Sequence, residues 1–198
     1  MASPYAGLPA HEWKKRTQQL IAEHPLDSNE IYEVAHRVWN SIFDSKLGSK
    51  PFQIGVDMFP RPQIMAFLLH ELIPLEFAYR YPNVWRRDET AGEKDLVYIP
   101  DEQYSIEIKT SSSAKSIFGN RSYAQETVSR SARKSKSGYY LAINFGKFDS
   151  VKRPEITMVR FGWLDHSDWV GQAAATGQQA RLEPAVEHYK LLRLPLDK

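Results

Sequence analysis

Residues Tyr104-Ser105-Ile106-Glu107-Ile108-Lys109 alternate apolar and polar side chains without a break. Strand side chains repeat with period two, so Tyr104, Ile106 and Ile108 take one face of a sheet while Ser105, Glu107 and Lys109 take the other. The preceding Lys94-Asp95-Leu96-Val97-Tyr98-Ile99 reads as a second strand, and Pro100 to Gln103 as the four-residue loop of a β-hairpin. Antiparallel pairing of the two would bring Asp95 beside Glu107 and Lys109. Two carboxylates and an ammonium would then share one sheet edge.

That trio has a definite chemistry. A hard cation such as Mg²⁺ is held by one or two carboxylates together with waters and substrate phosphates. A neighbouring lysine can orient or deprotonate a water, or balance charge building on phosphorus, so the pattern points to metal-assisted hydrolysis of a phosphodiester. The spacing is common: acid-x-Lys also occurs at Glu12-Trp13-Lys14 and Asp44-Ser45-Lys46, both within helical stretches. Only Glu107-Ile108-Lys109 lies on an alternating strand behind a second strand that begins with an acid. The plainer reading is a solvated strand face with a cross-strand ion pair, which contributes little to stability.

With 198 residues the chain is long enough to bury a real core as one domain. It contains no cysteine, which excludes disulfides and thiolate metal sites. No basic-then-apolar leader opens it and no apolar run approaches the ~20 residues of a membrane span, so a cytoplasmic location is expected. The net charge of +2 is small, but its distribution is uneven. Lys109, Lys115, Arg121, Arg130, Arg133, Lys134 and Lys136 stand against the single acid Glu126. A basic field of that kind suits a phosphate backbone, or else a solvated helix face.

In chain order, a short helix is expected from His11 to Glu23. Asp27 with Glu30 forms a capping-box start for a helix over 28–46, whose stripe of Ile31, Val34, Ala35, Val38 and Ile42 faces the core or a second subunit. Residues 48–59 read as a loop. Pro60 and Pro62 open an apolar helix from Ile64 to Ile73, stopped by Pro74, with Glu71 on the edge of its buried face. Glu71 is either a rim residue or a further ligand in the site, and Glu76 is an equal candidate. Residues 81–93 read as a polar loop.

Residues 111–121, rich in small hydroxyls, Gly and Asn, can offer hydroxyls and N–H groups to phosphate, and Asn and Arg to base edges. Ser122 with Gln125 starts a helix that the basic residues before Gly138 close. Strands are expected at 139–145, 156–161 and 188–196, and 173–179 as an exposed loop. Asp165, His166 and Asp168 are discounted as a metal site, because a turn packed by Trp163 and Trp169 explains them.

The order helix 60–73, strand 94–99, strand 104–110, helix 122–136, strand 139–145, with an acid on the first strand and Glu-x-Lys on the second, resembles the PD-(D/E)xK nuclease superfamily. Residues 93–97, 104–111, 117–125 and 136–141 look like type II restriction endonucleases similar to ScaI. The resemblance implies an α/β restriction-endonuclease-like core, a central mixed β-sheet flanked by helices. It implies one nuclease domain over 1–198, with a helical part over about 11–47 and a catalytic core over about 60–161. It further implies a homodimer that cuts both strands of double-stranded DNA at a short palindrome with Mg²⁺, beside a DNA methyltransferase that protects the host.

Carried over, Asp95 and Glu107 become metal ligands, the Ile108 carbonyl a further ligand, and Lys109 the group on the attacking water, with Glu71 as the added catalytic candidate. The chain departs from the pattern at Lys94, where the family name has Pro. Asn120 and Arg121 are candidates for base edges, Arg130, Arg133 and Lys134 for phosphates, and Ser111, Ser113, Ser122 and Gln125 for further DNA contacts. A structure-specific or repair nuclease of the same fold, or a DNA-binding module without catalysis, would share most of these features.

Overall fold

A cap and a stripe define the N-terminal helices. The computed structural model describes residues 3–124, 135–149, 151–173 and 177–196, with α1 at Ala10–Ala22 and α2 at Ser28–Asp44. The Asp27 carboxylate accepts the N–H groups of Asn29 (2.8 Å) and Glu30 (3.3 Å) and so starts α2. Glu30 does not close a capping box. Its carboxylate instead accepts from Arg80 Nη1 (3.0 Å) and the Tyr81 hydroxyl (2.8 Å), tying the start of α2 to the end of the next helix. The stripe Ile31, Val34, Ala35, Val38 and Ile42 is buried together with Trp39 and Phe43, so this face is core and no docking face.

A small hairpin pairs β1 (Lys46–Leu47), just before the stretch expected as a loop, with β2 (Phe52–Gln53) inside it. Helix α3 then spans Pro62–Arg80, passing through Pro74 instead of stopping there. Proline removes one hydrogen-bond rung and crowds the turn before it. Burial on both sides, of Ile73, Pro74 and Phe77, holds the helix together across that fault.

The central sheet takes the order β11-β8-β7-β5-β4-β3. Its strands are β3 (Trp85–Arg87), β4 (Leu96–Tyr98), β5 (Ile106–Ser111), β7 (Gly138–Phe145), β8 (Ile156–Leu164) and β11 (Leu191–Leu194). Of these β5 and β7 are parallel and the other neighbours antiparallel, making a mixed sheet with helices packed on it. The expected polar loop 81–93 thus contains an edge strand, because Trp85 is buried and pulls Arg86 and Arg87 into register with β4. The hairpin is shorter than expected: Tyr104 belongs to a 3₁₀ turn, Glu102–Tyr104, and only Leu96 and Ile106 pair directly. The sheet also reaches beyond residue 161 through β11, and the expected strand 188–196 is split, its first part being the helix α4 (Pro184–Tyr189).

Each face of the sheet buries a different cluster. Ile106, Ile108, Tyr139, Leu141, Ile143 and Phe161 join the cores of α2 and α3. Tyr140, Ala142 and Leu164 on the other face pack against Ile117, Tyr123, Trp169, Ala180 and Leu182. Most of this second layer is a small sheet of order β6-β10-β9, formed by β6 (Phe118–Asn120), β9 (Trp169–Gly171) and β10 (Gln179–Leu182). No described helix is long and apolar enough to cross a membrane.

The turn holding Asp165 and Asp168 forms an ion cluster with Lys190. Lys190 Nζ, on a side chain 4% exposed, lies 2.8 Å from Asp168 Oδ1 and 3.2 Å from Asp165 Oδ2, over the rings of Tyr5 and Trp13. Burial pushes the Asp168 carboxyl above its usual range against the pull of Lys190. Lys190→Met would leave two buried carboxylates uncompensated, and an isothermal urea titration should show a loss of about 3–5 kcal/mol. An unchanged midpoint would mean that the cluster is better solvated than its burial indicates.

Candidate active site

Asp95 stands immediately before β4, with its Oδ2 accepting the Ile108 N–H at 2.7 Å. A strand amide therefore fixes this carboxylate beside the peptide whose carbonyl lies next to Lys109. Glu107, one residue earlier on β5, is 1% exposed, while the Asp95 and Lys109 side chains are 18% and 13% exposed. The site thus has a buried carboxylate behind and an accessible one in front. Lys109 Nζ lies 2.5 Å from Glu107 Oε1 and 3.2 Å from the Ile108 carbonyl oxygen. The three charges that alternation and pairing were expected to gather do converge.

Two further side chains belong to this group. The Tyr123 hydroxyl donates to Glu107 Oε1, so Glu107 is held from the side away from the strand. Burial first, then the adjacent Glu107 charge, pushes the Tyr123 phenol well above its usual range, and it stays a donor. Tyr123 is clamped by Trp169 and by β6, where a Cβ on Gly119 would stand 3.0 Å from the Tyr123 ring, tighter than an ordinary contact, so glycine eases this close approach. The ammonium groups of Lys109 and Lys136 lie 4.8 Å and 4.1 Å from the centre of the same ring. On the other side, His70 Nδ1 of α3 is 3.7 Å from Asp95 Oδ2.

Neither residue was singled out in the sequence. The signal for His70 is a lone imidazole in an apolar helix next to Glu71, and for Tyr123 a large aromatic in a polar segment. Glu71 lies at the rim with its Oε2 3.3 Å from Arg87 Nη1. Glu76 accepts from Arg80 Nε at 2.9 Å within the cluster that joins α2 and α3. Lys94, where the family pattern has Pro, is buried with its Nζ 4.8 Å from the Tyr140 ring and its chain against Gly138.

The expected DNA-contact residues fall into separate places. Ser111 ends β5 and its Oγ accepts the Ser113 N–H (3.0 Å), while Ser113 Oγ accepts the Ser116 N–H (3.4 Å). Asn120 and Ser122 are exposed, Asn120 in register with Gln179 of β10. Arg121 Nη1 donates to the Gly177 carbonyl (3.2 Å), which ties it to the segment before β10. Gln125, Arg130, Arg133 and Lys134, with most of the expected helix 122–136, lie outside the described residues.

The donor set suits a hard divalent cation. Two carboxylates and a carbonyl oxygen meet around a point where an ammonium already sits, too few protein ligands for a cage and enough for an ion that keeps waters and takes substrate oxygens. Among the described residues no group of three or more His, Asp or Glu side chains gathers to hold a metal, at this site or elsewhere.

Comparison with known proteins gives a consistent result. The family model described as ScaI restriction endonuclease matches residues 3–195. The type II restriction enzyme ScaI of Streptomyces caespitosus is 47% identical over 194 residues, covering 97% of this chain and 84% of that protein. No solved structure matches the chain.

Proposed function

The chain belongs to the ScaI restriction endonuclease family, and from that membership we propose how this site-specific deoxyribonuclease cuts: as a single-domain subunit of a homodimer, Mg²⁺-dependent, at a short palindrome. One subunit offers one set of Asp95, Glu107 and Lys109, and a duplex has two strands, so a two-fold dimer on a two-fold site matches one set to each scissile phosphate. The enzyme acts in the cytoplasm beside a methyltransferase that modifies the same sequence. The observation that carries the reading is the convergence of the Asp95 and Glu107 side chains on the Ile108–Lys109 segment of β5.

Asp95, Glu107 and the Ile108 carbonyl would hold the divalent ion. That ion, when bound, supplies Lewis-acid stabilisation of the phosphoryl oxygens and lowers the pKa of a coordinated water. The Lys109 ammonium orients the attacking water and offsets negative charge on the phosphorus oxygens as the P–O bond to the leaving group breaks. Tyr123 keeps Glu107 in place. Ser111, Ser113, Asn120, Arg121 and Ser122, with Gln125, Arg130, Arg133 and Lys134, contact DNA, and Glu71 stands at the edge of the site nearest His70.

Long duplex DNA incubated with the protein and Mg²⁺, and in parallel with EDTA, tests the reading directly. Discrete fragments that need Mg²⁺ are expected, and sequencing their ends gives the site and its symmetry. A smear would indicate a structure-specific or repair nuclease instead, and intact DNA of retarded mobility a binding module. Without DNA, Mg²⁺ at 100 times its Kd should stabilise the fold by about 2.7 kcal/mol.

A further inference from the structure

The loop that leaves β5 is held from below by three side chains of three other elements. Asn144 of β7, fully buried, donates from Nδ2 to the carbonyls of Ser113 (2.9 Å) and Ser116 (3.1 Å). Arg160 of β8, 5% exposed, donates from Nη2 to the Lys115 carbonyl (2.6 Å) and to Asn144 Oδ1 (3.0 Å). Glu187 of α4 accepts the Ile117 N–H (3.0 Å) with one oxygen and places the other 3.7 Å from Arg160 Nη1. Backbone groups of Ser113, Lys115, Ser116 and Ile117 are all fixed by this one network.

A surface loop can satisfy its backbone with water. Burying an arginine and an asparagine for that purpose incurs a desolvation cost that water would not, and the gain is geometric definition. The definition is relative to the catalytic strand. Ser111 pairs with Asn144, and Lys109 with Ala142, which pairs in turn with Arg160, so the anchors stand in the same cross-strand rows as the end of β5. Their target is the chain four to eight residues beyond Lys109. Ala114 and Lys115, at the middle of the loop, are exposed. Reading a base edge requires donors and acceptors held to within about 0.5 Å.

We propose that Asn144 and Arg160 are specificity-determining positioning residues, which hold the Ser113–Ile117 loop at a fixed distance from the scissile phosphate so that it reads the nucleotides beside the cut. This rests on the nuclease reading above. Cleavage kcat/KM is measured on the cognate duplex and on duplexes with one base pair changed, together with the Mg²⁺-induced rise in Tm without DNA. Asn144→Ala and Arg160→Lys should each lower the cognate-to-altered ratio by about tenfold or more, chiefly through KM, and leave the Mg²⁺-induced rise intact. Glu187→Gln, which keeps an acceptor for the Ile117 N–H, should stay near the wild-type ratio.

A uniform loss on all duplexes, or an unchanged ratio, would overturn the proposal and reduce the network to a structural one. A second measurement does not depend on variants in the core. The chain has no cysteine, so Ala114→Cys carries a single photo-crosslinker, which should join to nucleotides flanking the cut in cognate DNA. Absence of that crosslink also overturns the proposal. Failure of the underlying reading looks different, because the wild-type protein would then leave every duplex intact or cut all of them alike.

Discussion

Asp95→Asn and Glu107→Gln should each lower Mg²⁺-dependent cleavage by about 10³-fold or more, while binding of cognate DNA in a mobility-shift assay remains measurable. Both substitutions keep the shape of the side chain and remove one negative charge. Asn at 95 still offers an oxygen to the Ile108 N–H, and Gln at 107 still offers one to the Tyr123 hydroxyl, so the local fold should survive. What is lost is half of the carboxylate charge facing the cation and the scissile phosphate. Removing negative charge also eases the approach of a polyanion, which is why binding should persist. Cleavage within tenfold of wild type in either variant would sink the metal-ligand assignment.

The legible parts of this protein are those where one local pattern meets one local environment. The alternation of β5 was readable because its apolar face enters the core of α2 and α3 and its polar face enters the site, so period two survives in the sequence. Strand β7, apolar apart from Gly138 and Asn144, was readable by its length and aromatic content because both of its faces are covered. Where a local rule lost, a tertiary term outweighed it. Pro74 ends a helix only if the rung it deletes is worth more than the packing of Ile73 and Phe77. Strands β6 and β9 have three residues each and exist through β10, some sixty and ten residues away, which no window of sequence contains.

The same limit explains the missed site residues. Glu71 was read as a rim residue or a further ligand, with Glu76 an equal candidate, but one step along a helix is about 100° around it. His70, one residue earlier, is the neighbour of Asp95, and Glu71 turns to Arg87. Tyr123 reaches Glu107 only because Gly119 and Trp169 bring its segment down on the sheet. The proposed chemistry was legible in Asp95, Glu107 and Lys109; the residues that support them came from elements whose positions that hairpin does not encode.

Lys109→Ala should be nearly as inactive as the carboxylate variants, with a loss of about 10²–10⁴-fold, but it should fail for a separable reason. Lys109 Nζ touches Glu107 Oε1 and the Ile108 carbonyl, and the Tyr123 ring closes over it, so the slot fits an ammonium on a slender chain. Lys109→Arg should therefore not restore cleavage, since a planar guanidinium is larger and directs its donors in a fixed fork. Removing the lysine leaves both carboxylates in place and relieves them of a competing positive charge. The Mg²⁺-induced rise in Tm should accordingly be kept or enlarged in Lys109→Ala and diminished in Asp95→Asn. If Lys109→Ala lost that rise together with cleavage, the lysine would be organising the carboxylates and not the water. If it cut DNA within tenfold of wild type, the chemistry would rest on the two carboxylates alone.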